Sequence, residues 1–240
     1  MNTTVRKPLG GKSYGSIPHL PGSRRGPADH GCHEGQARIA TQQCRDRHDR
    51  VIVQEKLDGS NVCIAKVGGV VMPLTRAGYH ANSSPYEQHH RFAGWMYQNY
   101  IRFDEFLADG ERLCGEWLLQ AHGTRYALPH EPFVAFDLIT GPTRTPFDAF
   151  MERVNGKFVT PNVLHVGGPL SIEKALEHLR PFGWHGAIDP VEGAVWRVER
   201  KGRVDFLCKY VRPEKVDGCF LPEINGGVTI WNTHPGEQLT

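Results

Sequence analysis

The sequence predicts an α+β domain built on antiparallel or mixed sheets with flanking helices. Two observations support antiparallel pairing: β-rich runs are joined by the two-residue turns Gly68-Gly69 and Lys201-Gly202. A third disfavours a doubly wound parallel sheet, because no strand–GxGxxG–helix unit is present. At 240 residues the chain makes one large domain or two small ones. Its 39% hydrophobic and 10% aromatic residues supply a core and exclude a disordered protein.

Residues 1–50 are rich in Gly, Pro, His and Arg and show no sustained period, so an irregular, partly ordered lead-in packed on the remainder is expected. Basic residues (Arg6, Lys7, Lys12, Arg24, Arg25, Arg38, Arg45, Arg47 and Arg50) outnumber acids there, which suits either a phosphate-facing surface or a soluble arm. The whole-chain net charge of +2 does not choose between them. From residue 51, "VIVQEK", "NVCIAKV" and "VVMPLTR" read as three strands, with a tight Asp58-Gly59 turn after the first. Ser84 as N-cap and Pro85 at the first helical position then open a helix. Its Phe92, Trp95, Met96, Asn99, Tyr100 and Phe103 form one stripe, read as a core face. Strands "RLCGEWLL" and "FVAFDLI" follow, then a helix over 171–179 ended by Pro181 and Gly183. A hairpin of "GAVWRVER" and "RVDFLCKYV" closes the pattern.

No apolar run reaches membrane-spanning length and the first residues lack a signal-peptide core, so a cytoplasmic protein is expected. The six cysteines are scattered, and three lie in β-like runs, where Cys acts as a small buried hydrophobe. Cys32, His33, Cys44 and His48 have the ligand types of a Zn²⁺ site, but their spacing matches no finger, and an accidental cluster is expected.

Lys56 ends an apolar strand beside a turn, where an amine can point into a cleft between sheets. By itself K-x-D-G is a common accident. Here "EKLDGSN" resembles the nucleotidyl-lysine motif of the covalent nucleotidyltransferase superfamily, which comprises ATP-dependent DNA ligases, RNA ligases and mRNA capping enzymes. Further fragments similar to that superfamily's motifs follow in order: "TRAG", "CGEWLL", "FVAFDLI", "VEGAVWRV" and "DFLCKYVRPEK". Asn61 after "KLDGS" resembles the RNA ligase version, and "YGSIPHLPGSR" at 14–24 is similar to a segment near the start of some bacterial and phage RNA ligases.

The resemblance implies an adenylyltransferase fold with its nucleotide pocket between the sheets, at residues 51–240. It implies that Lys56 attacks the α-phosphorus of ATP, that the AMP passes to an RNA 5′-phosphate, and that a 3′-hydroxyl displaces it. Lys209 is expected to grip phosphate and help keep Lys56 neutral. Glu192 would hold Mg²⁺ or Mn²⁺, and Glu116 the ribose hydroxyls. Phe136 and Val195 would sandwich adenine, with Glu55 at its edge, while Asn61 and Arg76 orient the phosphate or incoming strand end. Asp58 belongs to the same nucleotide-binding motif. Register supports one pairing: with the turn at Lys201-Gly202, Glu192 and Lys209 lie at the same open end of a hairpin.

Two departures qualify the match. Leu207 stands where the first of two lysines is expected, which weakens the triphosphate grip unless another base such as Arg212 substitutes. Trp117 is bulkier than the aliphatic residue expected after Glu116. About thirty residues follow Lys209, so no appended OB-fold is expected; grip on RNA would fall to the core, the basic lead-in or an end-healing partner. A monomer is expected. The alternatives are a minimal ATP-dependent DNA ligase, against which Asn61 argues, and a nucleotide- or RNA-binding module without turnover, against which the retained Lys56, Asp58, Glu116 and Glu192 argue.

Overall fold

Near-continuous burial along the strands Asp49–Lys56, Ser60–Val67, Glu111–Trp117, Phe133–Thr140 and Gly193–Arg200 decides the architecture. Both faces of each sheet are covered, one by helices and the other towards the opposite sheet and a cleft. The computed structural model describes residues 6–233; the outermost residues of the two predicted segments, 1–5 and 234–240, lie outside the described residues. In order, the elements are α1 (Glu34–Thr41), β1 (Asp49–Lys56), β2 (Ser60–Val67), β3 (Val70–Thr75), α2 (Glu87–Gln98), α3 (Tyr100–Phe106), β4 (Glu111–Trp117) and β5 (Phe133–Thr140). Then come β6 (Thr143–Arg144), α4 (Phe147–Val154), β7 (Val163–Gly167), α5 (Ile172–Leu179), β8 (Gly193–Arg200) and β9 (Arg203–Val211). They form an antiparallel sheet in the order β7-β1-β8-β9 and a second in the order β3-β2-β4-β5-β6.

Each sheet has its own core. The first packs Val51, Val53 and Trp196 against Ala37 and Ala40 of α1 and Ala175 of α5. The second packs Val62, Ile64, Trp117 and Phe133 against Phe92, Met96 and Phe103, so the aromatic stripe is a core face as expected. Trp117 is accounted for in the same way. It points away from the cleft into this cluster, its ring centroid 5.5 Å from Phe92 and 5.3 Å from Trp95.

Both predicted two-residue hairpins form, with Gly68 and Gly69, and Lys201 and Gly202, all at positive φ. The Asp58-Gly59 turn differs: it carries the chain from one sheet to the other, since β1 pairs with β7 and β8 while β2 pairs with β3 and β4. A Cβ on Gly59 would lie 2.5 Å from the Trp117 carbonyl, so this crossing tolerates no side chain.

The helix expected from Pro85 begins later, at Glu87, with Tyr86 as its extended N-cap. Ser84 Oγ is engaged elsewhere, meeting His89 Nδ1 at 2.6 Å and accepting from the Tyr86 N–H at 3.3 Å. That helix is also two, broken at Asn99, whose side-chain amide donates to the Trp95 carbonyl at 2.8 Å. Four elements were not legible as regular structure: α1, whose buried positions are alanines, the two-residue β6, α4, which follows Pro146, and the short β7. In the lead-in, Tyr14 and Leu20 are buried. Residues 18–20 line the free edge of β9: the Lys209 N–H donates to the Pro18 carbonyl at 2.9 Å, and Leu20 donates back to the Lys209 carbonyl at 2.8 Å. No described helix is long and apolar enough to cross a membrane.

Candidate active site

The crossing of the chain between sheets opens a cleft of about 1050 Å³, lined by Lys56, Asp58 and Asn61 from the crossing and by residues of both sheets. Every site residue expected from the sequence lines it: Glu55, Lys56, Asp58, Asn61, Arg76, Glu116, Phe136, Glu192, Val195 and Lys209. A lysine belongs at the inner end of β1 because that strand ends at the seam. The Lys56 amine emerges between the sheets while its backbone stays paired with Gly193.

Lys56 Nζ lies 2.5 Å from Glu192 Oε2, with side-chain exposures of 20% and 10%. Burial disfavours the ammonium, yet the carboxylates of Glu192, Glu116 and Asp58 outweigh it and hold Lys56 above its ordinary range. The expectation that Lys209 keeps Lys56 neutral is therefore corrected for this state. The repulsion between the two amines is mutual, and after burial it helps push the Lys209 amine down. Glu116 rises to about 7, through burial and the repulsion of Glu192 and against the pull of Lys56. Its Oε1 accepts from the Gly59 N–H at 3.1 Å, which ties the lysine-bearing turn to β4.

Asp58 lines the cleft but is otherwise committed. Its Oδ2 accepts from the Gly123 N–H at 3.0 Å and lies 3.1 Å from Lys215 Nζ. That carboxylate anchors the turn, with Lys215 as its buried counter-ion. Asn61 sits opposite Glu116 in the β2–β4 register, and its buried Oδ1 has no partner among the described residues. Arg76 is exposed at the rim, 3.1 Å from Ser16 Oγ.

The other end of the cleft suits a flat, apolar ring. Phe136 is braced edge-on by Tyr14, centroids 5.2 Å apart at 72°. Val195 faces the cleft from β8, in register with Lys209. Glu55 is 2% exposed, and neither carboxylate oxygen has a hydrogen-bond partner among the described residues. Burial raises its carboxyl to about 7. His185 Nε2 stands 3.7 Å away, and a Cβ on Gly183 would collide with the carboxylate.

Sequence reasoning missed several lining residues. Arg197, within "VEGAVWRV", is buried and ion-paired to Asp137 across the two sheets at 3.0 Å; Arg144 reaches the same carboxylate at 2.8 Å. His19, Arg24 and Asp29 also face the cleft, from the lead-in segment. The signal was present, since "HLPGSR" includes His19 and Arg24, but no spacing rule ties residues of an irregular segment to a cleft built from distant strands. Arg212, suggested as a substitute for the missing lysine, does not line the cleft; it lines a separate pocket of about 210 Å³. Among the described residues no three His, Cys, Asp or Glu side chains gather as a metal-binding group, Cys32, His33, Cys44 and His48 included. A hard cation completed by phosphate oxygens needs only one or two carboxylates, and Glu192 fits that requirement.

A family model described as RNA ligase matches residues 49–211. Among solved structures, a Naegleria gruberi RNA ligase with pyrophosphate is similar at a TM-score of 0.54 and 13% identity, over 88% of this chain and 60% of that one. A variant of a Naegleria gruberi RNA ligase with ATP and Mn gives 0.52 and 15%, over 82% and 59%. An archaeal ATP-dependent RNA ligase gives 0.44 and 19%, over 68% and 42%. At such identities the likeness to the Naegleria gruberi structures is one of fold. This chain spans between 42% and 60% of those three structures' own lengths. No curated protein matches it.

Proposed function

This chain belongs to the RNA ligase family, and from that premise we propose that it seals RNA 5′-phosphate and 3′-hydroxyl ends with ATP, through AMP carried on Lys56. The observation that carries the reading is the Lys56 amine, held in a cleft between two sheets beside buried carboxylates, with an aromatic wall at the far end.

Adenine lies between Phe136 and Val195. The unpartnered Glu55 carboxylate accepts from its exocyclic amine, a role that requires the ionised form. Glu116 reaches the ribose hydroxyls, and Asn61 and Arg76 face the phosphate or the incoming strand end. Lys56 Nζ forms a bond to the α-phosphorus as the bond to the pyrophosphate oxygen breaks. The amine must lose a proton first, and Glu192 Oε2 at 2.5 Å is the nearest acceptor. Lys209 meets charge on the phosphates. Glu192 would hold Mg²⁺ or Mn²⁺, which would supply charge neutralisation at the phosphates. An oxygen of the RNA 5′-phosphate then displaces Lys56 from phosphorus, and a 3′-hydroxyl displaces AMP.

The test is intact-protein mass after incubation with ATP and Mg²⁺, on protein first stripped with pyrophosphate. One adenylyl group is gained, and it is lost on adding 5′-phosphorylated RNA. ATP binding without any gain in mass would leave only a nucleotide-binding module.

A further inference from the structure

The lead-in segment places a further cation on the cleft, outside the nucleotidyl-lysine motif and the five fragments that follow it. Lys56 pairs with Gly193, Gly193 pairs with Val211, and the Val211 carbonyl accepts from the Arg24 N–H at 3.0 Å. Arg24 thus extends the row of hydrogen-bonded neighbours that begins at the nucleophile. Three strand spacings put the two backbones ~14 Å apart. Lys56, Val211 and Arg24 all line the cleft. The position is fixed locally as well, since Ser23 Oγ accepts from the Val211 N–H at 2.9 Å and lies 2.7 Å from His19 Nδ1.

Two further observations single out Arg24 as an anion ligand. Its Nη1 is buried and has no hydrogen-bond partner among the described residues, although guanidinium donors removed from water are ordinarily satisfied. Lys209, by contrast, has a carboxylate in reach: Asp29 Oδ1 lies 3.7 Å from its Nζ. On β9 the three cleft-facing positions 207, 209 and 211 are Leu, Lys and Val, so this strand offers one charge to a triphosphate. Arg197, the cross-strand neighbour of Leu207, is committed to Asp137.

We propose that Arg24 binds the β- and γ-phosphates of ATP, the part that leaves as pyrophosphate, and makes up for the charge absent at Leu207. The proposal rests on the nucleotide reading of the cleft. It makes Arg24 a determinant of ATP over AMP, because AMP lacks the phosphates that the guanidinium meets.

The test compares ATP and AMP binding by calorimetry on Lys56→Met protein, which cannot turn ATP over, with and without a second change at Arg24. With Arg24→Gln, ATP affinity falls tenfold or more while AMP affinity stays within twofold. With Arg24→Lys, most of the ATP affinity is kept. Equal losses for ATP and AMP would show that Arg24 only holds the segment in place and would overturn the proposal, as would unchanged ATP affinity in Arg24→Gln. Absence of binding of either nucleotide to Lys56→Met protein would instead overturn the nucleotide reading itself, and this proposal with it.

Discussion

Two clusters of opposite charge, one open to the cleft and one closed between the two sheets, are built differently. At the open end one amine, Lys56, faces the carboxylates of Glu192 and Glu116, in partial contact with solvent. At the closed end, between the sheets beside Phe136 and outside the cleft lining, one fully buried carboxylate, Asp137, is held by Arg197 and Arg144 and accepts from the Tyr14 hydroxyl at 3.2 Å. The first has surplus carboxylate, and burial pushes those groups towards the pH at which they exchange protons. The second has surplus cation, two guanidiniums around one carboxylate. An adjustable cluster suits chemistry, whereas a fixed one suits joining two sheets.

The comparison predicts that damage to the open end appears in rate and damage to the closed end in stability. Lys56→Met should remove the AMP adduct altogether, a loss of more than about 10³-fold by mass spectrometry, because the other amine at the crossing, that of Lys215, is buried against Asp58 and the Gly123 carbonyl. Its urea midpoint should stay close to wild type, since the stranded carboxylates can protonate instead of remaining charged. A large fall in stability would show that the Lys56–Glu192 pair holds the fold as well.

Asp137→Ala is the converse. It leaves Arg197 as a buried, unpaired guanidinium between the sheets, and breaking such a pair costs about 3–5 kcal/mol. Urea unfolding should register that loss. A midpoint within error of wild type would mean that water or a backbone carbonyl takes over, and the cluster would not be what joins the sheets.

The difference between the ends also explains what the sequence made legible. Lys56, Glu192 and Lys209 lie within short motifs at strand ends, and the strand pattern with its hairpin turns was enough to bring Glu192 and Lys209 to one place. Asp137 and Arg197 adjoin Phe136 and Val195 in the same motifs, but they belong to different sheets. Nothing in strand periodicity shows that the two sheets face each other there. Arg24 and His19 were harder still: their backbone joins the free edge of β9, and edge pairing by an irregular segment has no sequence period. The error over Lys209 and Lys56 had another source. Residue types along a strand do not reveal which charges end nearest, and the Glu192 carboxylate lies nearer to Lys56 than sequence distance suggests.

Glu55 tests the adenine end at intermediate scale. Its carboxyl ionises at about 7 in the fold against 4.5 for an ordinary glutamate, so between those values the folded protein keeps a proton that the unfolded chain has released. Stability contributed by this group is therefore present below about pH 4.5 and is lost as pH rises through 7. Replacement by the neutral amide in Glu55→Gln should be nearly neutral at pH 4.5. At pH 8 it should be stabilising relative to wild type, by on the order of 2–3 kcal/mol. A stability difference that does not grow with pH would mean that His185, 3.7 Å away, already compensates the charge. ATP affinity should move oppositely, rising with pH in wild type but not in Glu55→Gln, because the acceptor role needs the ionised form.

The smallest expected effect is at Phe136, where shape and π-face can be separated. Leucine fills much of the same space without an aromatic face, so Phe136→Leu should cost only the stacking contribution, about 0.5–1.5 kcal/mol, or roughly a two- to tenfold rise in KM for ATP. Tyr14 braces the ring edge-on from behind, and that brace loses its partner in the same variant. A small loss of stability therefore accompanies the binding effect and has to be read separately, by unfolding without nucleotide. If KM for ATP is unchanged while stability falls, Phe136 is a core aromatic that happens to line the cleft. If KM rises while stability holds, the aromatic wall belongs to the nucleotide, and the closed end serves recognition as well as joining the sheets.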